Sequence, residues 1–261
     1  MSRDDEFIIN SPQNKLFKEL KKMSTSNHFR RKCGLFLVEG LKENTLAMNA
    51  GFIPEKLFRS AGKSINIDSK HKCDLITLND TLFDELTYRP QSVLLGLYKE
   101  KELKLDEIQL AGPALIIIAE AIEKPGNLGA ILRTADAVRA DALIVADPRT
   151  DFFNPNVIRS SVGTLFTVPT VSSSKEAILD WCRQNKLKVY AAALEEAVEY
   201  TSVDMRSSCA LVFGTEDNGL STFWLENVDN VIRIPMLGVN DSLNVSNSVA
   251  VIAYEAIRQR R

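Results

Sequence analysis

The run Ala114-Leu115-Ile116-Ile117-Ile118-Ala119 carries no charge and has the length of one buried strand, and the next segment, Pro125-Gly126-Asn127-Leu128-Gly129-Ala130-Ile131-Leu132-Arg133-Thr134-Ala135, reads as a loop entering a helix. Strands covered on both faces appear as continuous aliphatic runs, whereas half-exposed strands alternate with polar residues. Comparable strand-like runs recur at 142–146, 188–193, 209–213 and 231–234, with helical stretches between them and a long final helix over 244–260. This alternation predicts an α/β fold, a parallel sheet with helices on both faces.

Upstream of Ala114 the pattern is different. Ser11-Pro12 reads as a helix start, with Leu16, Phe17, Leu20 and Met23 as its apolar stripe. Strand-like pieces at 35–38, 56–59, 74–78 and 93–98, with helical stretches at 41–50 and 81–86, form a compact mixed unit. The charged segment 99–107, with Gly112-Pro113 beyond it, reads as a linker. Two domains are therefore expected, 1–105 and 112–261.

Composition removes several classes. With 261 residues, 45% hydrophobic and 25% charged, the chain is an ordinary globular one. Its apolar runs fall far short of the roughly 20 residues of a membrane helix. The opening Met1 to Glu6 resembles neither a secretory signal nor a transit peptide, so the cytoplasm is the expected compartment, with no membrane partner. Cys33, Cys73, Cys182 and Cys209 stand singly, and only His28 and His71 are available as imidazoles, which argues against a disulfide framework, a metal centre and a histidine triad.

The net charge of −2 conceals a modest asymmetry, with 18 Lys and Arg against 16 Asp and Glu in residues 1–110 and 14 against 18 in the rest. Residues 15–32 concentrate Lys15, Lys18, Lys21, Lys22, Arg30, Arg31 and Lys32 against the single acid Glu19, with Phe17, His28 and Phe29 interleaved. Two readings stand: a solvated helix face followed by a basic loop, or a surface that attracts a polyanion and stacks on bases.

Chemistry concentrates in three loops at strand ends. The first holds Asn127 and Arg133; the second is Gly214-Thr215-Glu216-Asp217-Asn218-Gly219; the third runs from Ile234-Pro235-Met236 to Ser242-Leu243-Asn244-Val245-Ser246. Ligands of open α/β sheets bind beyond the carboxyl ends of the strands, so three such loops can share one pocket. Taken singly each has a plainer explanation: Asn127 as a helix cap, Gly214 and Gly219 as turn residues, Ser242 and Asn244 as caps of the last helix, and Arg133 as a snorkelling side chain. Neither G-x-x-x-x-G-K-[ST] nor G-x-G-x-x-G occurs, which removes the usual support for kinase-like and dinucleotide-binding readings.

Together the three motifs resemble those of the SpoU (TrmH-type) RNA ribose methyltransferases of the SPOUT superfamily, and Phe36-Leu37-Val38-Glu39-Gly40 resembles the start of the substrate-binding domain, related to ribosomal protein L30e, that precedes the catalytic domain in many members. The resemblance implies a C-terminal trefoil knot, a homodimer, and S-adenosyl-L-methionine as cofactor. It implies that Gly214, Thr215, Ile234, Met236 and Leu243 hold the cofactor and that Asn127, Arg133, Glu216, Ser242 and Asn244 form the catalytic group. Asp217, where glycine is usual, and Asn247, where a small apolar residue is usual, depart from the pattern.

The implied reaction is methyl transfer to a ribose 2′-hydroxyl. Guanidinium stays protonated in ordinary protein surroundings, so Arg133 suits phosphate binding and alkoxide stabilisation better than proton abstraction. With the resemblance, the basic segment reads as an RNA contact through Lys21, Lys22, Arg30 and Arg31, with ribosomal RNA favoured over transfer RNA and DNA not expected. Two other functions remain open: a catalytically silent knotted RNA-binding or ribosome-assembly factor, and an α/β enzyme that uses another nucleotide.

Overall fold

The computed structural model describes residues 8–63, 65, 73–215 and 218–261, which divide into two compact units. The first comprises the described residues up to Lys101 together with Phe152–Phe166. In chain order it contains β1 (Ile8–Ile9), α1 (Lys15–Thr25), α2 (Asn27–Cys33), β2 (Leu35–Glu39), α3 (Leu41–Asn49), β3 (Pro54–Ser60), β4 (Asp74–Leu78), α4 (Asp80–Leu86) and β5 (Leu94–Lys99). The sheet order is β1-β4-β3-β5-β2, with β5 antiparallel to both of its neighbours.

Helix α1 starts later than its sequence suggests. Ser11 and Pro12 lie in a turn closed by Asn14 N–H donating to Ser11 O, and Ser11 Oγ is taken up by Gln13 N–H. Asn14 is the cap, its Oδ1 accepting from the backbone N–H of Leu16 and Phe17. Phe17, Leu20 and Met23 are buried in a cluster with Leu37, Phe58, Leu82 and Phe83.

Phe36 stacks on Tyr98 and, at a centroid distance of 4.3 Å, on Phe153. The Phe153 contact corrects the expectation of an unbroken catalytic domain over 112–261. Phe153 and Phe166 place their rings against Phe36 and Phe52, and these contacts draw 152–166, including helix α6 (Pro155–Ser160), into the first unit.

The second unit spans Glu102–Asp151 and Thr167–Arg261. Its strands are β6 (Leu115–Glu120), β7 (Ala142–Ala146), β8 (Thr170–Ser173), β9 (Lys188–Ala192), β10 (Val198–Glu199), β11 (Cys209–Phe213) and β12 (Asn230–Arg233). They pair in parallel throughout, in the order β10-β12-β9-β11-β6-β7-β8. Helix α5 (Pro125–Ala137) packs on β7 and against α9 (Val245–Gln259), which lies on β11, while α7 (Lys175–Gln184) packs on β7 and β9. Ile116, Ile118, Ile144, Ala191 and Val212 share one buried cluster with Ile178, Trp181 and Trp224 of α7 and α8 (Thr222–Asn227). Strand residues of the opposite parity point to the other face, as the pleat requires.

The chain's penultimate residue ties this unit together. The Arg260 guanidinium donates to the carbonyls of Pro113, Ala114, Met205 and Ser207 and to Cys209 Sγ, joining the entries of β6 and β11 to the end of α9.

Candidate active site

The carboxyl ends of three adjacent strands, β12, β9 and β11, open onto a cavity of about 680 Å³ within the second unit. That size lies within the range of small-molecule sites. Strand β9 contributes Ala192 and the residues through Glu195, β11 contributes Phe213 to Thr215, and β12 contributes Ile232 to Ile234 and Met236 beyond it. The wall opposite comes from Ser242, Leu243, Asn244 and Val245 at the start of α9.

Each loop is held by its own local chemistry. In the second, Thr215 and Gly219 exchange two backbone hydrogen bonds, Thr215 Oγ1 accepts from Asn218 N–H, and Gly219 adopts φ +62°, a left-handed conformation that favours glycine. A Cβ on Gly214 would lie 2.1 Å from Gly219 O, so the two backbone segments approach as closely as only glycine allows there. The loop is anchored at Ser221, whose N–H and Oγ–H both donate to the buried carboxylate of Glu120 at the end of β6. In the third loop Asn244 caps α9, its Oδ1 accepting from Ser246 N–H. Asn244 Nδ2 also donates to Asn127 Oδ1 at 3.3 Å, which joins the first loop to the third.

The structure thus brings together most of the expected site residues. Gly214, Thr215, Ile234, Met236 and Leu243 line the cavity with Ser242 and Asn244, and Asn127 is bonded to Asn244. Asn127 is not a helix cap, because α5 begins at Pro125 with Lys124 in that place. Arg133 is exposed on α5, outside the cavity lining, and forms no ion pair among the described residues. Glu216 and Asp217 lie outside the described residues. Asn247 is exposed in the first turn of α9.

The basic segment belongs to the first unit. Lys21, Lys22 and Arg31 are exposed, with Lys21 Nζ bonded to Glu85 at 2.6 Å and Lys22 Nζ 5.8 Å from the Phe29 ring centroid. Arg30 overturns its place in the expected RNA-contacting set: it is buried, and its Nη1 donates to Met23 O near the end of α1. That carbonyl has no helical partner of its own, and the guanidinium satisfies it in place of reaching solvent.

The sequence assigns no role to Glu120 at the end of the first strand-like run, to Asn218 within the second loop, or to the 192–195 segment. The rule that ligands lie beyond strand carboxyl ends would have pointed to 193–195, since 188–193 was readable as a strand. Glu120 carried no such signal, because an acid at a strand end reads as ordinary solvent exposure.

An all-parallel sheet with a cavity at its carboxyl edge, walled by apolar side chains and rimmed by Asn218, Asp241, Ser242 and Asn244, defines an α/β protein built to hold a small organic ligand. Sequence comparison makes the class specific. The chain belongs to the SpoU rRNA methylase family, whose profile matches residues 114–254, and residues 14–94 match the MRM3-like substrate binding domain. It is 30% identical over 250 residues to the 23S rRNA (guanosine(2553)-2′-O)-methyltransferase RlmP of Bacillus subtilis (strain 168), covering 94% of this chain and 97% of that one. A crystal structure of an RNA 2′-O ribose methyltransferase superposes with a TM-score of 0.84 at 36% identity, covering 97% of this chain and 99% of the other. The SpoU methyltransferase AviRb from Streptomyces viridochromogenes, in complex with AdoMet, superposes with a TM-score of 0.88 at 27% identity, covering 95% and 98%.

Proposed function

We propose that this protein is an S-adenosylmethionine-dependent methyltransferase that modifies a ribose 2′-hydroxyl of ribosomal RNA. The observation that carries the reading is the convergence of seven expected site residues from two loops on one cavity, with Asn127 of the first loop bonded to its rim. The cavity suits this cofactor: Leu220, Ile234 and Leu243 offer apolar surface to a purine, and Glu195 and Asp241 offer carboxylates near which a cationic sulfonium is favoured. The bound cofactor supplies an electrophilic methyl group. Gly214, Thr215, Ile234, Met236 and Leu243 hold it, chiefly through loop backbone.

The protein's own groups then orient the attacking hydroxyl and manage charge. Holding two reactants in a near-attack pose supplies on the order of 7–11 kcal/mol. Asn127, Ser242 and Asn244 position the ribose at the cavity rim, with Glu216 acting in the same group. Arg133, whose guanidinium presents several N–H donors in one plane, binds the neighbouring phosphate and stabilises the oxyanion as the hydroxyl proton passes to solvent water. The exposed Lys21, Lys22 and Arg31 bind the RNA backbone. The domains are assigned as 1–105 for substrate and 112–261 for catalysis, apart from 152–166. The C-terminal segment forms a trefoil knot, the protein acts as a homodimer, and it works in the cytoplasm. The knot and the dimer rest on membership of the SpoU rRNA methylase family.

Single-turnover methylation of ribosomal RNA fragments, run beside cofactor titrations, tests this function. Arg133→Ala is expected to lower methyl transfer roughly 10²–10³-fold, the range for loss of one oxyanion donor, with S-adenosylmethionine affinity unchanged. A wild-type rate in that variant would remove Arg133 from the reaction. Failure of the wild-type protein to bind S-adenosylmethionine would remove the function itself.

A further inference from the structure

Tyr88 is 72% exposed, in contrast to Tyr98 and Tyr190, which are buried. Bare aromatic rings on mobile loops are common, but this ring stands on a fixed base. Its own backbone N–H and that of Arg89 donate to the two carboxylate oxygens of Glu39, at 3.0 and 2.8 Å. Arg89 then opens a turn with Pro90 at its second position, closed by Ser92 N–H donating to Arg89 O at 2.9 Å. Lys63 Nζ donates to the carbonyls of Pro90 and Ser92, and Arg89 Nη1 donates to Glu43 at 2.7 Å. The loop carrying Tyr88 is thus held from several sides.

One side of the ring is already occupied. The guanidinium carbon of Arg159 lies 3.8 Å from the Tyr88 centroid, close enough for a stacked cation–π contact. Arg159 is itself oriented by Asn156, whose Oδ1 accepts from Nη2 at 2.6 Å, and its backbone carbonyl lies 3.4 Å from Arg89 Nη2. The result is a guanidinium over a phenol ring, preorganised before any ligand arrives, with most of the ring surface left to solvent. Glu39 and Glu43, the nearby acids, are engaged by the loop backbone and by Arg89.

We propose that Tyr88, backed by Arg159, is a stacking platform for one unpaired nucleobase of the RNA substrate. The chemistry favours this occupant over a protein partner. A flat aromatic face offers area to a planar base and little to an irregular side-chain surface, and a cation behind the ring strengthens its attraction for the electron-rich face of a base next to an anionic phosphate. RNA recognition of this kind relies on bases displaced from helices, so the platform discriminates unpaired from paired RNA. The proposal rests on the RNA-directed function above, and places a contact on the first unit apart from the cations of α1 and α2.

Anisotropy titrations of the full chain with a short uridine-only single strand and with a fully paired RNA duplex test it across a range of salt. Tyr88→Ala is expected to weaken single-strand binding about five- to a hundredfold, the usual effect of losing one stacked base, and to leave duplex binding unchanged. Tyr88→Phe should retain wild-type affinity. The slope of affinity against salt should stay constant in both, because stacking releases no counterions, whereas Arg159→Ala should lower it. Single-strand binding by Tyr88→Ala equal to wild type, or an equal loss on both RNAs, would overturn the platform. Methylation of ribosomal RNA by the wild-type protein separates the two ideas: an active enzyme whose Tyr88→Ala form binds single strands normally discards the platform alone, and an inactive wild type discards the function while the binding comparison still decides the platform.

Discussion

Gly214 occupies a position where a single methyl group is excluded by backbone, not by a side chain that could turn away. Its missing Cβ would fall 2.1 Å from Gly219 O, so Gly214→Ala must part the paired segments Gly214-Thr215 and Asn218-Gly219. We expect this variant to keep its fold and to bind S-adenosylmethionine at least about tenfold more weakly by isothermal titration, the equivalent of roughly 1.4 kcal/mol. Unchanged affinity would show that the loop can open without loss. Glu120 works on the same loop from beneath, through two hydrogen bonds to Ser221. Arg260 joins the entries of β6 and β11 to the end of α9. Arg260→Ala leaves carbonyls of Pro113, Ala114, Met205 and Ser207 without that donor, and charged hydrogen bonds contribute about 1.5–3 kcal/mol each at most, so a loss of about 2–4 kcal/mol is expected in urea unfolding once water reaches the exposed ones. Arg260→Lys should recover only part, since an ammonium cannot reach four carbonyls from one plane.

At the scale of elements, helix α7 and strand β11 carry a titration signature. Burial pushes the Cys182 thiol on α7 up to about 12 and the Cys209 thiol on β11 up to about 11, the latter in spite of Arg260 beside it. An unfolded thiol ionises near 9.0, so above that pH the unfolded chain releases protons that the folded one retains, and stability falls as pH rises from 9 towards 11–12. Below pH 9 these groups contribute no slope. Denaturation at stepped pH should show this decline, and alkylation of the native protein should modify exposed Cys33 while sparing Cys182 and Cys209. A native Cys182 or Cys209 as reactive as Cys33 would contradict the burial of these faces of α7 and β11. The same elements show what was legible beforehand. Strands β6, β7 and β11 were readable because burial on both faces leaves an uninterrupted apolar run, and β9 because its buried Val189, Tyr190 and Ala191 follow one another. Edge strands β8 and β10, built from residues such as Thr170, Ser172 and Glu199, carry no such run and were missed. The cavity loops were readable from their glycine and amide content, but Glu120 beneath them and the inward turn of Arg30 depend on contacts between residues far apart, or on the end of a helix whose length the sequence left uncertain.

For the molecule as a whole, helix α9 sets the expectation. Its Val249 and Ile252 are buried within the second unit, so only part of its apolar face is available to a second copy. What remains outward is Val251, Ile257 and Tyr254, the last 52% exposed. With the homodimer proposed above, light scattering at micromolar concentration is expected to give about twice the 29.1 kDa of one chain, and Tyr254→Asp to shift the mass towards a single chain. A single-chain mass for the unmodified protein would refute the dimer. The Arg260 contacts bear on how the molecule is made. A chain emerging from its amino end presents β6 before either donor to Ala114 O exists: the Cys209 N–H comes only with β11, and Arg260 Nη2 arrives 146 residues after Ala114. While the rest is being synthesised, β6 is an aliphatic strand whose neighbour β11 and whose closing side chain do not yet exist. Until β11 and then Arg260 emerge, the β11-facing edge of β6 is an unpaired aliphatic edge, the kind of surface through which nascent chains aggregate.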